Sequence, residues 1–210
     1  MKKKTIYHLI VDKSGSMSDC IDNTINGFNE QVTRIKQLGI EFPEQEITIG
    51  LTTFNDEVNH HFFQGNPKEV QKLSRETYQP NGCTALLDAI GVTVARIENE
   101  TDIRNTDSGT TAVIVILTDG HENSSRLFKL LDIRNLIGRL EETGSWTFSF
   151  IGATLDAVDV AEQMSIKRQN SYSFDKSQMN EVVWDKLSNS MHGYFDKKKS
   201  GRDLGNLFED

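Results

Sequence analysis

Cysteine is scarce in this chain: Cys20 and Cys83 are the two thiols among 210 residues. That excludes the dense pairing of a secreted disulfide scaffold. The two also lack the paired spacing of a zinc site, so both are expected to stay reduced in the cytoplasm. There is no surplus of basic residues. The formal net charge of −8 repels phosphate backbones and argues against nucleic-acid binding as a main activity. Long apolar runs are missing as well. Ile6 to Val11 follows Lys2, Lys3 and Lys4 but is too short for a signal-peptide core and runs into Asp12, so neither export nor a membrane span is expected. What remains, 36% hydrophobic and 26% charged residues, suits a water-soluble globular domain able to bury its own core, monomeric by default.

Two kinds of periodicity organise the chain. Ile6 to Val11 and Thr111 to Leu117 are continuous apolar runs, as expected of strands buried on both faces. Ile47 to Thr53 and Trp146 to Ile151 read as further strands, and Val58 to Phe63 as an edge partner returning across the Asn55-Asp56 turn. Helical spacing links Ile21, Ile25, Phe28, Val32 and Ile35, then Leu87, Ile90, Val94 and Ile97, and then Leu127, Leu130, Ile133, Ile137 and Leu140. Pro67 is expected to open a short helix, Val158 to Met164 to form another, and Met179, Val183, Leu187, Met191 and Tyr194 a last one. Strands alternating with helices predict an α/β fold: a doubly wound, mostly parallel sheet with helices on both faces and one antiparallel edge strand. Residues 1–195 form this domain. Residues 196–210 read as a solvated, mobile tail in which Leu204, Leu207 and Phe208 offer an alternative docking segment.

In such sheets ligands gather at the carboxyl ends of the strands. Both apolar strands end on aspartate there, Val11 into Asp12 and Leu117 through Thr118 into Asp119. Asp12-Lys13-Ser14-Gly15-Ser16 adds two hydroxyls at alternate positions in a turn tightened by Gly15, with Lys13 pointing away. Convergent carboxylate and hydroxyl oxygens suit a hard divalent cation, Mg²⁺ first, with Mn²⁺ or Ca²⁺ as alternatives. Such an ion, short of anionic ligands, accepts an Asp or Glu side chain from a partner protein.

These residues resemble the von Willebrand factor type A domain with its metal-ion-dependent adhesion site. Asp12-Lys13-Ser14-Gly15-Ser16 is similar to that family's DxSxS, Gly82-Cys83-Thr84 followed by Leu87-Asp88-Ala89-Ile90 to its threonine loop and helix, and Thr118-Asp119-Gly120 to its TDG. The resemblance runs from about Thr5 to Tyr194. It implies that Ser14 and Ser16 bind metal directly, Thr84 directly or through water, and Asp12 and Asp119 through bound waters or directly. Gly15, Gly82, Cys83 and His121 would line the rim met by the ligand.

Each of these residues also has a plainer use. Ser14, Ser16, Thr84 and Asp119 are ordinary turn or helix-cap residues when met singly, and His121 an ordinary solvated one. His60 and His61 are adjacent on a strand, point to opposite faces and cannot chelate one ion. Cys20 and Cys83 fall beside the two metal loops, where oxidation linking the loops is the alternative to two reduced thiols. His8 and His192 carry no signal. A metal-dependent protein-binding module rather than an enzyme is the leading expectation. The alternatives are a Mg²⁺-dependent phosphoryl-transfer or hydrolytic enzyme and a scaffold with a vestigial metal site. Against the enzyme, the chain has no GxxxxGK[ST] loop, no GxSxG elbow and no second aspartate two residues after Asp12.

Overall fold

The computed structural model describes residues 3–176 and 183–208. Its strands are β1 (Lys3–Asp12), β2 (Gln45–Phe54), β3 (Val58–Gly65), β4 (Thr111–Thr118), β5 (Trp146–Gly152) and β6 (Ser171–Ser173). Its helices are α1 (Ile21–Glu41), α2 (Leu86–Glu100), α3 (Leu130–Glu141), α4 (Ala157–Gln163) and α5 (Trp184–Ser200). The strands form a six-stranded sheet in the order β3-β2-β1-β4-β5-β6. All neighbours are parallel except the antiparallel pair β2 and β3. The architecture is the α/β sheet expected from the sequence.

β1 lies at the centre because it is apolar on both faces. Side chains alternate across a strand, so Tyr7, Leu9 and Val11 join the core packed by α1 and α5, while Ile6 and Ile10 join the core packed by α2 and α3. The helical stripe of α1 buries Ile25, Phe28, Val32 and Ile35 against the sheet. Gly27 on the same helix lets α5 approach closely, since a Cβ there would fall 1.9 Å from Trp184 Nε1. Among the described residues no helix is long and apolar enough to cross a membrane.

Several expectations need correction. Pro67 opens a turn, not a helix: the amides of Glu69 and Val70 both bond to Asn66 O, and Asn29 then holds Leu73 by its backbone N–H and C=O. Leu127 is 72% exposed and precedes α3. The Asp88 carboxylate takes the amides of Arg126, Leu127 and Phe128 and keeps them out of the helix. The expected start of the last helix at Met179 lies outside the described residues. That helix runs on past residue 195 to Ser200, where Gly201 adopts φ 68° and returns its N–H to the last carbonyls, a left-handed cap that favours glycine.

The segment after α5 is exposed at Gly201, Arg202, Asp203 and Asn206 but packed at its end. Leu207 and Phe208 are 1% and 7% exposed within the α1/α5 core, and Leu207 N donates to Asn170 Oδ1 at 2.7 Å. Lys198 is buried as well, its ammonium donating to Lys4 O and to the hydroxyls of Thr5 and Thr111. Composition suggested a tail because most of residues 196–206 are polar. The lysine stems nevertheless cover apolar surface while their heads find backbone acceptors.

Candidate metal centre

Parallel pairing of β1 with β4 brings Asp12 and Asp119 to one rim of the sheet. Asp12 is buried, and both its oxygens are engaged. Ser14 N donates to Oδ1 and Thr118 Oγ1 to Oδ2, each at 2.6 Å. Burial pushes the Asp12 carboxyl up to about 6; these hydrogen bonds pull the other way and the nearby Asp119 charge adds to the rise.

The hydroxyls continue from there. Ser14 Oγ lies 3.1 Å from Ser16 Oγ, and Ser16 Oγ donates to Asp119 Oδ1 at 2.6 Å. Thr84 closes the group. A Cβ placed on Gly120 would meet Thr84 Oγ1 at 3.5 Å and Ser16 Oγ at 3.6 Å, so the three loops converge on that glycine. Backbone bonds fix the loops to one another: Lys13 N to Phe54 O, Gly15 N to Gly82 O, and Asn81 N to Lys13 O. Gly82 has φ +72°, a left-handed backbone that favours glycine, and a Cβ there would also displace the Asp56 carboxylate, whose Oδ2 would lie 2.1 Å away. Asp12, Ser14, Ser16, Thr84 and Asp119 therefore lie together at this rim, with Gly15 and Gly82 in the loops that carry them.

Other candidates fall away from the group. His121 is exposed and faces Asp156. His60 and His61 bond separately to Thr52 and Thr53. Cys20 is buried against Met17, Cys83 is exposed with its amide on Asp56, and both thiols are free. Burial pushes the Cys20 thiol up to about 11.

Some residues that shape the site carried no readable signal. Asn123 accepts from Thr84 N and returns its own N–H to Thr84 O, fixing the threonine loop. Lys176, just after β6, places its ammonium in an ion pair with Asp119 Oδ2 and donates to Ser16 O at 2.9 Å. The buried Asp119 Oδ2 has the Lys176 ammonium as its charged partner. A cation is thus already favoured at that oxygen.

The donor set is carboxylate and hydroxyl oxygen throughout, which fits Mg²⁺, Mn²⁺ or Ca²⁺ better than a softer metal. Among the described residues no group of three or more His, Cys, Asp or Glu side chains gathers to hold a metal. Beside the site, Leu155, Phe174 and Lys176 line a cleft of about 480 Å³. A wider cleft of about 630 Å³ lies at the start of β2, remote from the carboxylates.

The family model of the von Willebrand factor type A domain matches residues 8–188. Solved structures with the same fold include three from distant organisms. The ArnB paralog VWA2 of Sulfolobus acidocaldarius is 17% identical with a TM-score of 0.57, the alignment covering 86% of this chain and 44% of that one. The PilB minor pilin of Streptococcus sanguinis is 12% identical with a TM-score of 0.62, covering 91% and 62%. The manganese-loaded TRAP protein of Plasmodium vivax is 16% identical with a TM-score of 0.59, covering 89% and 74%. The chain therefore spans less than two thirds of the first two proteins. No curated protein sequence matches it.

Proposed function

The chain belongs to the von Willebrand factor type A domain family, whose members commonly mediate protein–protein interaction and often bind a divalent metal, and from that premise we propose that it is a metal-dependent protein-binding module. Asp12, Ser14, Ser16, Thr84 and Asp119 would hold Mg²⁺, or Mn²⁺ or Ca²⁺ in its place, as a metal-ion-dependent adhesion site. When bound, the ion supplies a Lewis acid able to accept an Asp or Glu side chain from a partner protein.

The observation that carries this reading is the bridge made by Ser16, whose hydroxyl touches Ser14 Oγ and Asp119 Oδ1 together. It joins the β1 loop to the β4 loop in one oxygen cluster. Within that cluster Thr118 and Ser14 N hold the Asp12 carboxylate still, and Asn123 fixes the backbone of Thr84. Ser16 is exposed with the Asp119 carboxylate buried behind it, so an incoming carboxylate would arrive on the Ser16 side.

The test is recovery of bound proteins from the native cell on immobilised chain. Binding is expected with Mg²⁺, lost with chelator, and lost again in Asp12→Ala and Ser14→Ala chains that remain folded by circular dichroism. Partner binding indifferent to chelator and to both substitutions would overturn the reading in favour of a scaffold. Phosphoester turnover that disappears in Asp12→Ala would overturn it in favour of an enzyme.

A further inference from the structure

We infer that Lys176 is the site's own exchangeable cation, and that its ammonium must leave Asp119 before a divalent ion can be held there; this rests on the metal-centre reading above. The Lys176 ammonium is paired with Asp119 Oδ2 and donates to Ser16 O at 2.9 Å. It thereby clasps the β1 loop at Ser16 to the β4 loop at Asp119. The Asp119 side chain is 1% exposed and that of Lys176 34%, so the carboxylate is fixed in the interior while the cation reaches it from the surface.

Two carboxylates gathered at one sheet rim repel each other, and a positive charge between the loops offsets that repulsion. A lysine ammonium and a divalent ion cannot both sit against the same oxygen, because like charges in contact and partly removed from water are strongly unfavourable. Lysine is suited to giving way. Its charge is a compact point on a flexible four-carbon stem, whereas a forked guanidinium would hold the carboxylate in two bonds. Space exists for it to move, since Lys176 also lines the 480 Å³ cleft beside Leu155 and Phe174. Position 176 therefore sets how tightly the site takes its ion. A clasp of this kind keeps the loops together at low metal concentration and makes the cleft-facing cation available once metal arrives.

Two measurements on the full chain test this. In the first, Mn²⁺ is titrated calorimetrically into the wild-type and Lys176→Gln chains. Removing an ion pair of this exposure is expected to tighten Mn²⁺ binding by up to about tenfold. In the second, lysines of the wild-type chain are acetylated with acetic anhydride, with and without Mn²⁺, and the label at each position is read by mass spectrometry. Acetylation of Lys176 is expected to rise severalfold with Mn²⁺ while that of exposed Lys72 stays constant. Metal-free Asp119→Asn is expected to raise Lys176 labelling without any ion.

Mn²⁺ binding of equal or weaker affinity in Lys176→Gln, or Lys176 labelling unchanged by Mn²⁺, overturns the inference and leaves the metal centre standing. Absence of Mn²⁺ binding to either chain overturns both. In that case Asp119→Asn still reports whether the ion pair exists.

Discussion

Thr118 donates its hydroxyl hydrogen to Asp12 Oδ2 at 2.6 Å, tying the last residue of β4 to the last residue of β1. With Ser14 N on the other oxygen, the carboxylate is held without free rotation. The pair makes the two central strands and the oxygen cluster one mechanical unit.

Removing that donor while keeping shape should expose the cost. Thr118→Val leaves Asp12 Oδ2 buried and unpaired, which is expected to destabilise the domain by roughly 1–3 kcal/mol. Thr118→Ser keeps the hydroxyl and is expected to lose much less. Urea denaturation of the three chains in metal-free buffer checks both.

The buried imidazole of His8 predicts acid sensitivity. Burial, helped by the charges of His60 and Arg96, pushes His8 down to about 3, and its Nε2 pairs with Thr52 Oγ1 at 2.8 Å. In the unfolded chain the ring titrates near 6.5. Between those values the unfolded chain binds more protons, so the contribution of His8 is full above about pH 6.5 and is lost as the pH falls toward 3. Roughly 2–3 kcal/mol should disappear between pH 7 and pH 4.5. Asp12 works in the opposite direction because its folded value is raised. The two are separated by comparing the pH dependence of the wild type with that of His8→Leu, in which the His8 share of the loss is expected to vanish. An identical pH dependence in the two chains would refute the assignment.

The docked end of the chain makes a third prediction. Leu207 is 1% exposed against the α1/α5 core, so Leu207→Ala should cost roughly 2–5 kcal/mol. Arg202→Ala, at an exposed position nearby, should be close to neutral. Thermal melts of both chains decide the matter, since a loose tail would give no shift for either.

The fold was legible where one kind of residue filled a whole element. Ile6 to Val11 and Thr111 to Leu117 are apolar on both faces, which identifies central strands, and their ends placed Asp12 and Asp119 together. The Asp12 to Ser16 turn was legible because its spacing is local. Lys176 was not, because a lysine after a three-residue strand has no pattern that points to Asp119. Asn123 and Asp88 act on backbone amides, which carry no sequence signature at the receiving end. The same reason hid the delayed start of α3. Around Leu207 and Phe208 the polar majority outvoted two residues whose burial depends on a return path over α5.

The bonds from Lys13 N to Phe54 O, Gly15 N to Gly82 O and Asn81 N to Lys13 O use main-chain atoms alone. These three bonds therefore do not depend on which side chains stand at positions 14, 16 and 84. Residues at positions 14, 16 and 84 are free to be exchanged, and with them the appetite for one ion, another or none, while the outline endures. Two proteins sharing this chassis could superpose closely and still part company in chemistry, so kinship in this architecture is read from the oxygens mounted on it.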